Sequence, residues 1–402
     1  MMFLQYFVNG CFLPVLSHYL KNYLGFAPFE VGVIMAMPAV AAIVAPFVLV
    51  HIADRIISAE RLLAVNHFVA AALMLALYHQ DRYLGFLTLY LLHGLVFVPT
   101  FALTNAVTFH HVTDAQRDFG RIRMWGPFSW VVVGWGFGYF WLRQGAGELV
   151  NDRLPHALLA SAGASLVLGV YALTLPRSAV RAKRAQGPAL RTIGAVFAQP
   201  NMLLLCVLTF FTAAVHQFYY YGMSPFLSQI GFQDKYIMPA MSMGQLGEIF
   251  VMLALGACLA RLGVKRTLLI GVVTQALRCL VFAAGWRPLI LLVIPSHGVC
   301  YACFFAVAYI YVDRHSTGEN RAGAQQLFNI LIAGFGNLAG NLFAGKTAAL
   351  CMTPENGMID FRAFWLVSVA VAIAIAFVLA VFFEDDRRNR EPEPPLNSED
   401  GE

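Results

Sequence analysis

The sequence predicts an all-α integral membrane protein with twelve transmembrane helices arranged as two pseudo-symmetric halves of six. Of its 402 residues, 59% are hydrophobic and 12% are charged, whereas about a quarter of the residues in an average soluble domain are charged. The apolar residues form runs of roughly 20, the length that crosses a bilayer core of about 30 Å. Charged residues cluster between these runs, so lipid is the main solvent of the chain.

Six predicted spans precede a polar linker and six more follow it. The spans are 3–24, 31–51, 62–79, 84–107, 124–142, 156–175, 202–224, 237–260, 267–285, 289–312, 325–349 and 361–383. Two sets of six spans around a linker are typical of secondary transporters built from related halves. We therefore predict an N-terminal half (1–175), a cytoplasmic basic linker (176–200), a C-terminal half (201–383) and a cytoplasmic tail (384–402).

The basic residues predict the orientation. The linker carries Arg177, Arg181, Lys183, Arg184 and Arg191 without a single acidic residue. If the amino terminus is cytoplasmic, most other loop cations fall on the same side, as the positive-inside rule requires. The first apolar stretch has no basic region before it and no convincing cleavage site, so we expect it to remain as a span. We predict a multi-pass protein of the cell inner membrane with both termini in the cytoplasm.

The motifs of several other function classes do not occur. We find no Walker lysine loop, no nucleophile elbow and no paired-histidine metal motif. The net charge of +5 is too modest to indicate nucleic-acid binding. Cys300 and Cys303 form a CxxC inside an apolar run, which favours helix packing over redox or metal chemistry. The glycines of GWGFGYF and AGFGNLAGN are typical of close helix packing in membranes. We expect a monomer that is not an enzyme and has no cofactor, metal or nucleic-acid partner.

Glu248 is the clearest candidate for a functional residue. It lies near the middle of the eighth span, in MPAMSMGQLGEIFVMLALG, and Gln245 lies three residues earlier on the same helix face. An ionisable side chain within a span is energetically costly, so it normally faces a cavity or a partner. Glu248 is therefore either a proton carrier or a structural carboxylate paired with a neighbouring helix.

The seventh span contains a mixture of amide and aromatic residues. Gln217 lies beside His216 and is followed by Tyr219–Tyr221 in AAVHQFYYYGMSPF. Aromatic rings stack on flat solutes, and an amide pairs with their hydrogen-bonding groups. The alternative is an aromatic belt at the membrane surface. For His216 we favour a core position over a proton relay.

Two arginines also stand out. Arg123 opens the fifth span in FGRIRMWGPFSW and either anchors the cytoplasmic end of that helix or points into a central cavity. Arg278 lies deeper, in the ninth span, and needs a carboxylate or carbonyl partner, so we favour a structural role for it. In the first span, Gln5 and Asn9 are four residues apart and share one helix face.

Several segments, in collinear order, resemble the nucleoside:proton symporter family of the major facilitator superfamily. They are LQ (Leu4–Gln5), RIRMWG, GQLGE, ARLGVKRTLLIGVVTQALRCLVFAAG and AGAQQLFNILIAGFGNLAGNLFAGK. The resemblance covers nearly all twelve spans. It implies the major facilitator fold and a secondary active transporter that imports nucleosides, or related polar heterocycles, together with protons by alternating access.

The resemblance also implies a solute-binding site. The positions that match the family's site residues are Arg123, Gln217, Gln245 and Glu248. We expect Tyr220 and Tyr301 to bind solute as well, and Glu248 to be the proton-coupling residue. The chain departs from the family pattern at two positions. Ala302 stands where the family has a tenth-span carboxylate associated with proton coupling, and Tyr220 stands where an asparagine is expected.

Two other functions remain open at this stage. Permeases for aromatic acids such as phenylpropionate share the arginine followed by an apolar residue and Trp-Gly, so an aromatic-acid or sugar permease is the first alternative. A transport-inactive membrane sensor is the second. The linker and the tail are too short to contain a signalling domain, which makes the sensor the weaker alternative.

Overall fold

The computed structural model describes residues 1–52, 57–112, 121–143, 151–176, 194, 196–317, 320–355 and 357–384. For residues 46–52 it describes the backbone but not the side chains. Most of the predicted basic linker, including its five cations, lies outside the described residues. The predicted tail lies outside them as well, apart from Glu384.

The described chain is built from helical segments that correspond, in order, to the predicted spans. They are α1 (Met2–His18, continued by a π-helical turn at Tyr19–Tyr23), α2 (Pro28–Ile52), α3 (Ala59–Tyr78), α4 (Tyr83–His111), α5 (Trp125–Val133, continued by a π-helical turn at Gly134–Tyr139), α6 (His156–Thr174), α7 (Pro200–Gln229), α8 (234–262), α9 (264–284), α10 (Arg287–Arg314), α11 (Arg321–Leu350) and α12 (Phe361–Phe382). Each predicted span falls on one of these segments.

Nine helices among the described residues are long and apolar enough to cross a membrane. One of them, Asp234–Ala284, runs for 51 residues and contains a break at Gly263, whose φ of 77° and ψ of 176° are not helical. Glycine adopts such a positive φ without steric cost. The break divides this helix into α8 and α9, as the sequence predicts. In the remaining two segments, α1 and α5, the α-helical part is shorter, with 17 and 9 residues before the π-helical turn.

Local signals set several helix ends. Pro200 occupies the first turn of α7, where a missing N–H costs nothing. The carboxylate of Asp360 accepts hydrogen bonds from the backbone N–H groups of Arg362 and Ala363 and caps α12. Gly285 ends α9 in the left-handed conformation, with φ 73°, the usual C-terminal stop of a helix.

Small residues allow the helices to pack closely. Gly340 of α11 lies against the backbone of Ala214 in α7, where an added Cβ would stand 2.5 Å from the carbonyl oxygen. In α5, Gly134 and Gly138 lie against Met238 of α8. These contacts confirm the predicted packing role for Gly134, Gly138 and Gly340.

The first six helices meet the second six mainly through α1 with α7, α2 with α11 and α5 with α8. The helix bundle has two ends. We use the term distal end for the end at which the odd-numbered helices finish and the even-numbered helices begin. Among the described residues, three hydrogen bonds join the two sets, all near the distal end. They are His18 Nε2 to Asp234 Oδ1 (3.0 Å), Ser17 Oγ with Ser224 Oγ (3.1 Å) and Tyr221 Oη to the Pro28 carbonyl oxygen (2.7 Å). The structure is therefore closed at this end.

The outer surface of the bundle is apolar. Large hydrophobic side chains are strongly exposed on many helices, among them Leu84, Phe250, Leu253, Leu292 and Phe377. A surface of this kind is stable against lipid and not against water. The fold is that of a multi-pass membrane protein.

Candidate functional site

Arg123 and Tyr6 form the part of the site contributed by the first six helices. The guanidinium carbon of Arg123 lies 4.2 Å from the centre of the Tyr6 ring, a cation–π contact between the start of α5 and α1. Both residues are half-buried. Gly126 makes this contact possible, because a Cβ there would stand 2.8 Å from Nη1 of Arg123. Arg123 therefore points toward α1 and packs against it.

Glu248 of α8 lies within electrostatic reach of Arg123. The two charges interact, and the hydroxyls of Tyr6 and Tyr301 lie within electrostatic reach of both. Among the described residues, Glu248 makes no hydrogen bond and no ion pair within 4.0 Å. The carboxylate is half-buried, and no residue in the described part of the neighbouring helices pairs with it. This arrangement leaves Glu248 free to exchange a proton or to bind a solute between α5 and α8.

Gln217 presents its amide from α7. Its side-chain oxygen accepts a hydrogen bond from Nδ2 of Asn341 (3.3 Å), which also donates to the carbonyl oxygen of Asn337 (2.9 Å). With its oxygen engaged, the Gln217 amide nitrogen is available as a donor. Gln245 is half-buried one turn before Glu248 on α8. The two glutamines thus contribute hydrogen-bonding groups from two helices.

Two aromatic side chains, Tyr220 and Tyr301, lie within electrostatic reach of Glu248. Tyr220 of α7 lies edge-on to Trp130 of α5, with ring centres 6.5 Å apart, and it is within electrostatic reach of Glu248 and Tyr301. Tyr301 opens a π-helical turn of α10, Tyr301–Ala306, and such wide turns occur often at functional sites. Rings next to amides, a cation and a carboxyl group are suited to a flat, hydroxylated heterocycle.

Of the six residues predicted for the site, Arg123, Tyr220, Glu248 and Tyr301 are within electrostatic reach of one another through Glu248. Gln217 and Gln245 lie within one turn of Tyr220 and Glu248 on the same helices, and their part in the site stays a prediction. The neighbouring Tyr219 and Tyr221 are buried. Tyr219 stacks on His297, while the Tyr221 hydroxyl donates to the Pro28 carbonyl. The alternative of a lipid-facing aromatic belt is therefore wrong for these two residues.

His216 and Arg278, the two other polar residues singled out in the sequence, are buried in the protein core. His216 is buried and stacks on His297, with ring centres 4.6 Å apart, in agreement with a core position. Arg278 is fully buried and finds a side-chain carbonyl at Gln275, as well as a histidine partner.

The model of the family described as "Nucleoside H+ symporter" matches residues 1–388. The chain belongs to this transporter family. This symporter is 33% identical over 96% of its length to YegT of Escherichia coli (strain K12), a candidate nucleoside transporter by its name, and covers 92% of that protein. It is also 29% identical over 98% of its length to the xanthosine permease of the same organism, with 96% of that chain covered.

The fold of this symporter is also that of a solved relative. A crystal structure of a variant of the nucleoside transporter NupG superposes with a TM-score of 0.86, with 95% of this chain and 98% of that chain covered. The sequence identity is 23%. The superposition therefore establishes the major facilitator fold, and the family match carries the functional class.

Sequence reasoning missed four residues around the site. Tyr6, Trp130 and Asn341 are ordinary types for a membrane span, and only tertiary packing shows that they meet Arg123, Tyr220 and Gln217. The fourth is His297, which lies in an apolar segment. Of the four, only His297 could have been noticed in the sequence. The dipeptide His-Gly at His297 recurs at His93, in the fourth helix, which corresponds to the tenth helix in the second half.

Proposed function

We propose that this protein imports nucleosides, or closely related polar heterocycles, together with protons. The observation that carries the proposal is Glu248, a half-buried carboxyl group without a partner among the described residues. It lies within electrostatic reach of the Arg123 cation of the first six helices. A carboxyl group in this position can hold a proton in one state and release it in another, while solute binds beside it.

Solute recognition is divided among several side chains. The rings of Tyr220 and Tyr301 stack on the base, and the amides of Gln217 and Gln245 pair with its hydrogen-bonding edge. Arg123 donates hydrogen bonds to electron-rich oxygens of the solute, since a guanidinium carries only donors. The half-buried positions of these side chains and the electrostatic proximity of Arg123, Tyr220, Tyr301 and Glu248 support this division of roles.

Transport follows from relative motion of two bodies, residues 1–175 and 201–383. Rocking of these halves would expose the site alternately to the two sides of the membrane. Protonation of Glu248 removes its attraction to Arg123 and so alters the balance between the two states. We place both termini in the cytoplasm of an inner membrane, with the closed distal end outside, and the monomer as the working unit.

The test is uptake of radiolabelled uridine by cells or proteoliposomes with an imposed proton gradient. In Glu248→Gln, concentrative uptake should be abolished while exchange of external for internal uridine persists, because the amide cannot release a proton. Glu355→Gln, an exposed change between α11 and α12, is the matched control and should accumulate uridine normally. Accumulation that survives in Glu248→Gln would show that another group couples the proton.

Competition by unlabelled solutes in the same assay distinguishes a nucleoside transporter from an aromatic-acid permease. Arg123 is a half-buried cation, which also suits a carboxylate. If unlabelled phenylpropionate is transported, and uridine and adenosine are not, the protein is an aromatic-acid permease and Arg123→Ala should remove that activity.

A further inference from the structure

Arg278 is a buried charge that the transport mechanism does not use. Its exposure is 0%, and no carboxylate of the described residues forms an ion pair with it. A cation removed from water without an anion is stable only when it is well hydrogen-bonded. The contacts of the Arg278 guanidinium therefore indicate its role in the protein.

The guanidinium is held by three neighbours. Nη1 lies 2.6 Å from Nδ1 of His297, Nη2 donates to Oε1 of Gln275 at 2.8 Å, and the charge lies 4.7 Å from the centre of the Tyr219 ring. Arginine has five donors and no acceptor, and it keeps its proton in proteins. Nδ1 of His297 must therefore accept this hydrogen bond. The ring is consequently neutral, with its single N–H on Nε2.

The fixed N–H of His297 faces the solute site. Nε2 lies 3.5 Å from the hydroxyl oxygen of Tyr220, and the two rings meet at 90° with centres 5.7 Å apart. Because Nε2 can only donate here, the Tyr220 oxygen is the acceptor. The hydroxyl proton of Tyr220 then points away from His297. It is therefore available to an acceptor other than His297, and Glu248 and Tyr301 are among the groups within electrostatic reach of Tyr220.

Close packing holds His297 in this position. A Cβ on Gly244 of α8 would stand 3.1 Å from Cβ of His297. On the other faces, the rings of His216 and Tyr219 stack on the imidazole at 4.6 Å and 4.4 Å between centres. The ring is enclosed, so its orientation is set by its partners.

We propose that Arg278 is a positioning residue that acts through His297 to make Tyr220 a hydrogen-bond donor to the transported solute. The site thereby selects solutes that present an acceptor, such as a ring carbonyl, to α7. This inference rests on the proposed function for the identity of the solute, but the tautomer of His297 does not depend on it. Arg278, His297 and Tyr220 form one chain of hydrogen bonds from the core to the solute.

The first experiment is a double-mutant cycle on uridine uptake. Tyr220→Phe should raise the KM about fivefold, the effect of one lost hydrogen bond. Arg278→Leu should raise it similarly in the wild-type background and not further in Tyr220→Phe, whereas Arg278→Lys should retain part of the affinity. Arg362→Leu, an exposed arginine at the start of α12, is the control and should leave the KM unchanged. Additive effects of Arg278→Leu and Tyr220→Phe would overturn the proposal.

A second pair of variants covers the case in which Arg278→Leu does not fold. His297→Gln can place its amide N–H near the position of Nε2 and should keep a KM close to the wild type, whereas His297→Leu should match Tyr220→Phe. Equal losses in both histidine variants would contradict the proposal.

The tautomer itself can be measured without transport. In magic-angle-spinning NMR of protein labelled with ¹⁵N-histidine, the signal lost in His297→Gln should show an unprotonated Nδ1 and a protonated Nε2. A protonated Nδ1 would overturn the proposal. Failure of the wild type to take up uridine, with the expected tautomer present, would count against the proposed solute and not against the role of Arg278.

Discussion

Arg123 and Glu248 show how single side chains are prepared for function in this molecule. Each is an ionisable group that a membrane span accepts only at a cost, and each is half-buried beside aromatic rings. Arg123 is stabilised by the face of Tyr6, which leaves its outer donors free. Glu248 has no direct partner in the described part of the chain, so its protonation can respond to the solute and to the position of Arg123.

Gly126 tests the importance of the contact between Arg123 and Tyr6. In Gly126→Ala, the new methyl group would stand 2.8 Å from both Nη1 of Arg123 and Cδ2 of Tyr6, so the two side chains must shift and their contact is disturbed. Loss of a partly buried cation–π contact should raise the uridine KM about threefold to tenfold. Gly136→Ala is the matched control, since nothing lies within 4 Å of its Cβ position. An unchanged KM in Gly126→Ala would mean that the contact with Tyr6 does not matter for binding.

At this scale the sequence predicted the residues that are expensive in a membrane, and it could not predict their partners. Glu248 and Arg123 are recognisable because a charged residue inside an apolar span is energetically costly and usually has a function. The contacts of Arg278 with His297, and of Gln217 with Asn341, join residues from different helices. No local pattern encodes such pairs, because they depend on how the helices pack.

Helices α8 and α10 behave as one packed element. Gly298 of α10 lies directly on the backbone of Glu248, and Gly247 lies on the carbonyl group of Pro295, in both cases with no room for a Cβ. This contact fixes Glu248, His297 and Tyr301 relative to one another. The helix boundaries were predictable from apolar length alone, whereas this packing of backbone on backbone was not, since Gly-rich spans are common in membrane helices.

Gly298→Ala should force the two helices apart. The added methyl group would overlap the backbone of Glu248, and overpacking of this kind typically costs about 1–3 kcal/mol. We expect a lower melting temperature in detergent, measured by intrinsic fluorescence, together with reduced uptake. Gly256→Ala on α8 has open space around its Cβ and should be neutral or slightly stabilising. Equal melting temperatures for the two variants would show that the α8–α10 contact is tolerant.

The whole molecule is held closed at one end. The hydrogen bonds from His18 to Asp234, between Ser17 and Ser224 and from Tyr221 to Pro28 join the two sets of six helices there. His18 and Asp234 are both buried, so breaking their contact costs more free energy than breaking a pair on the surface. Opening toward this end therefore requires the loss of a buried polar contact.

Asp234→Asn should weaken this closure. The amide oxygen of the variant can still accept from His18, and the lost charge contributes about 1 kcal/mol, so the population open at the distal end should rise about fivefold. Hydrogen-exchange mass spectrometry should then show faster exchange at the end of α1 and the start of α8. Asp81→Asn, an exposed change in the turn between α3 and α4 at the same end, should leave exchange unchanged. Identical exchange in both variants would show that the remaining contacts keep this end closed.

The burial of Arg278 also bears on how the chain enters the membrane during synthesis. A helix with an arginine inserts at a cost of up to about 3 kcal/mol when it enters alone, and α9 would carry that cost until His297 arrives on α10. The two helices are separated only by Gly285 and Trp286. A turn this short lets α9 and α10 enter the bilayer together as a hairpin, with the arginine already hydrogen-bonded. The contact that orients Tyr220 in the finished transporter thus also lowers the barrier to its assembly.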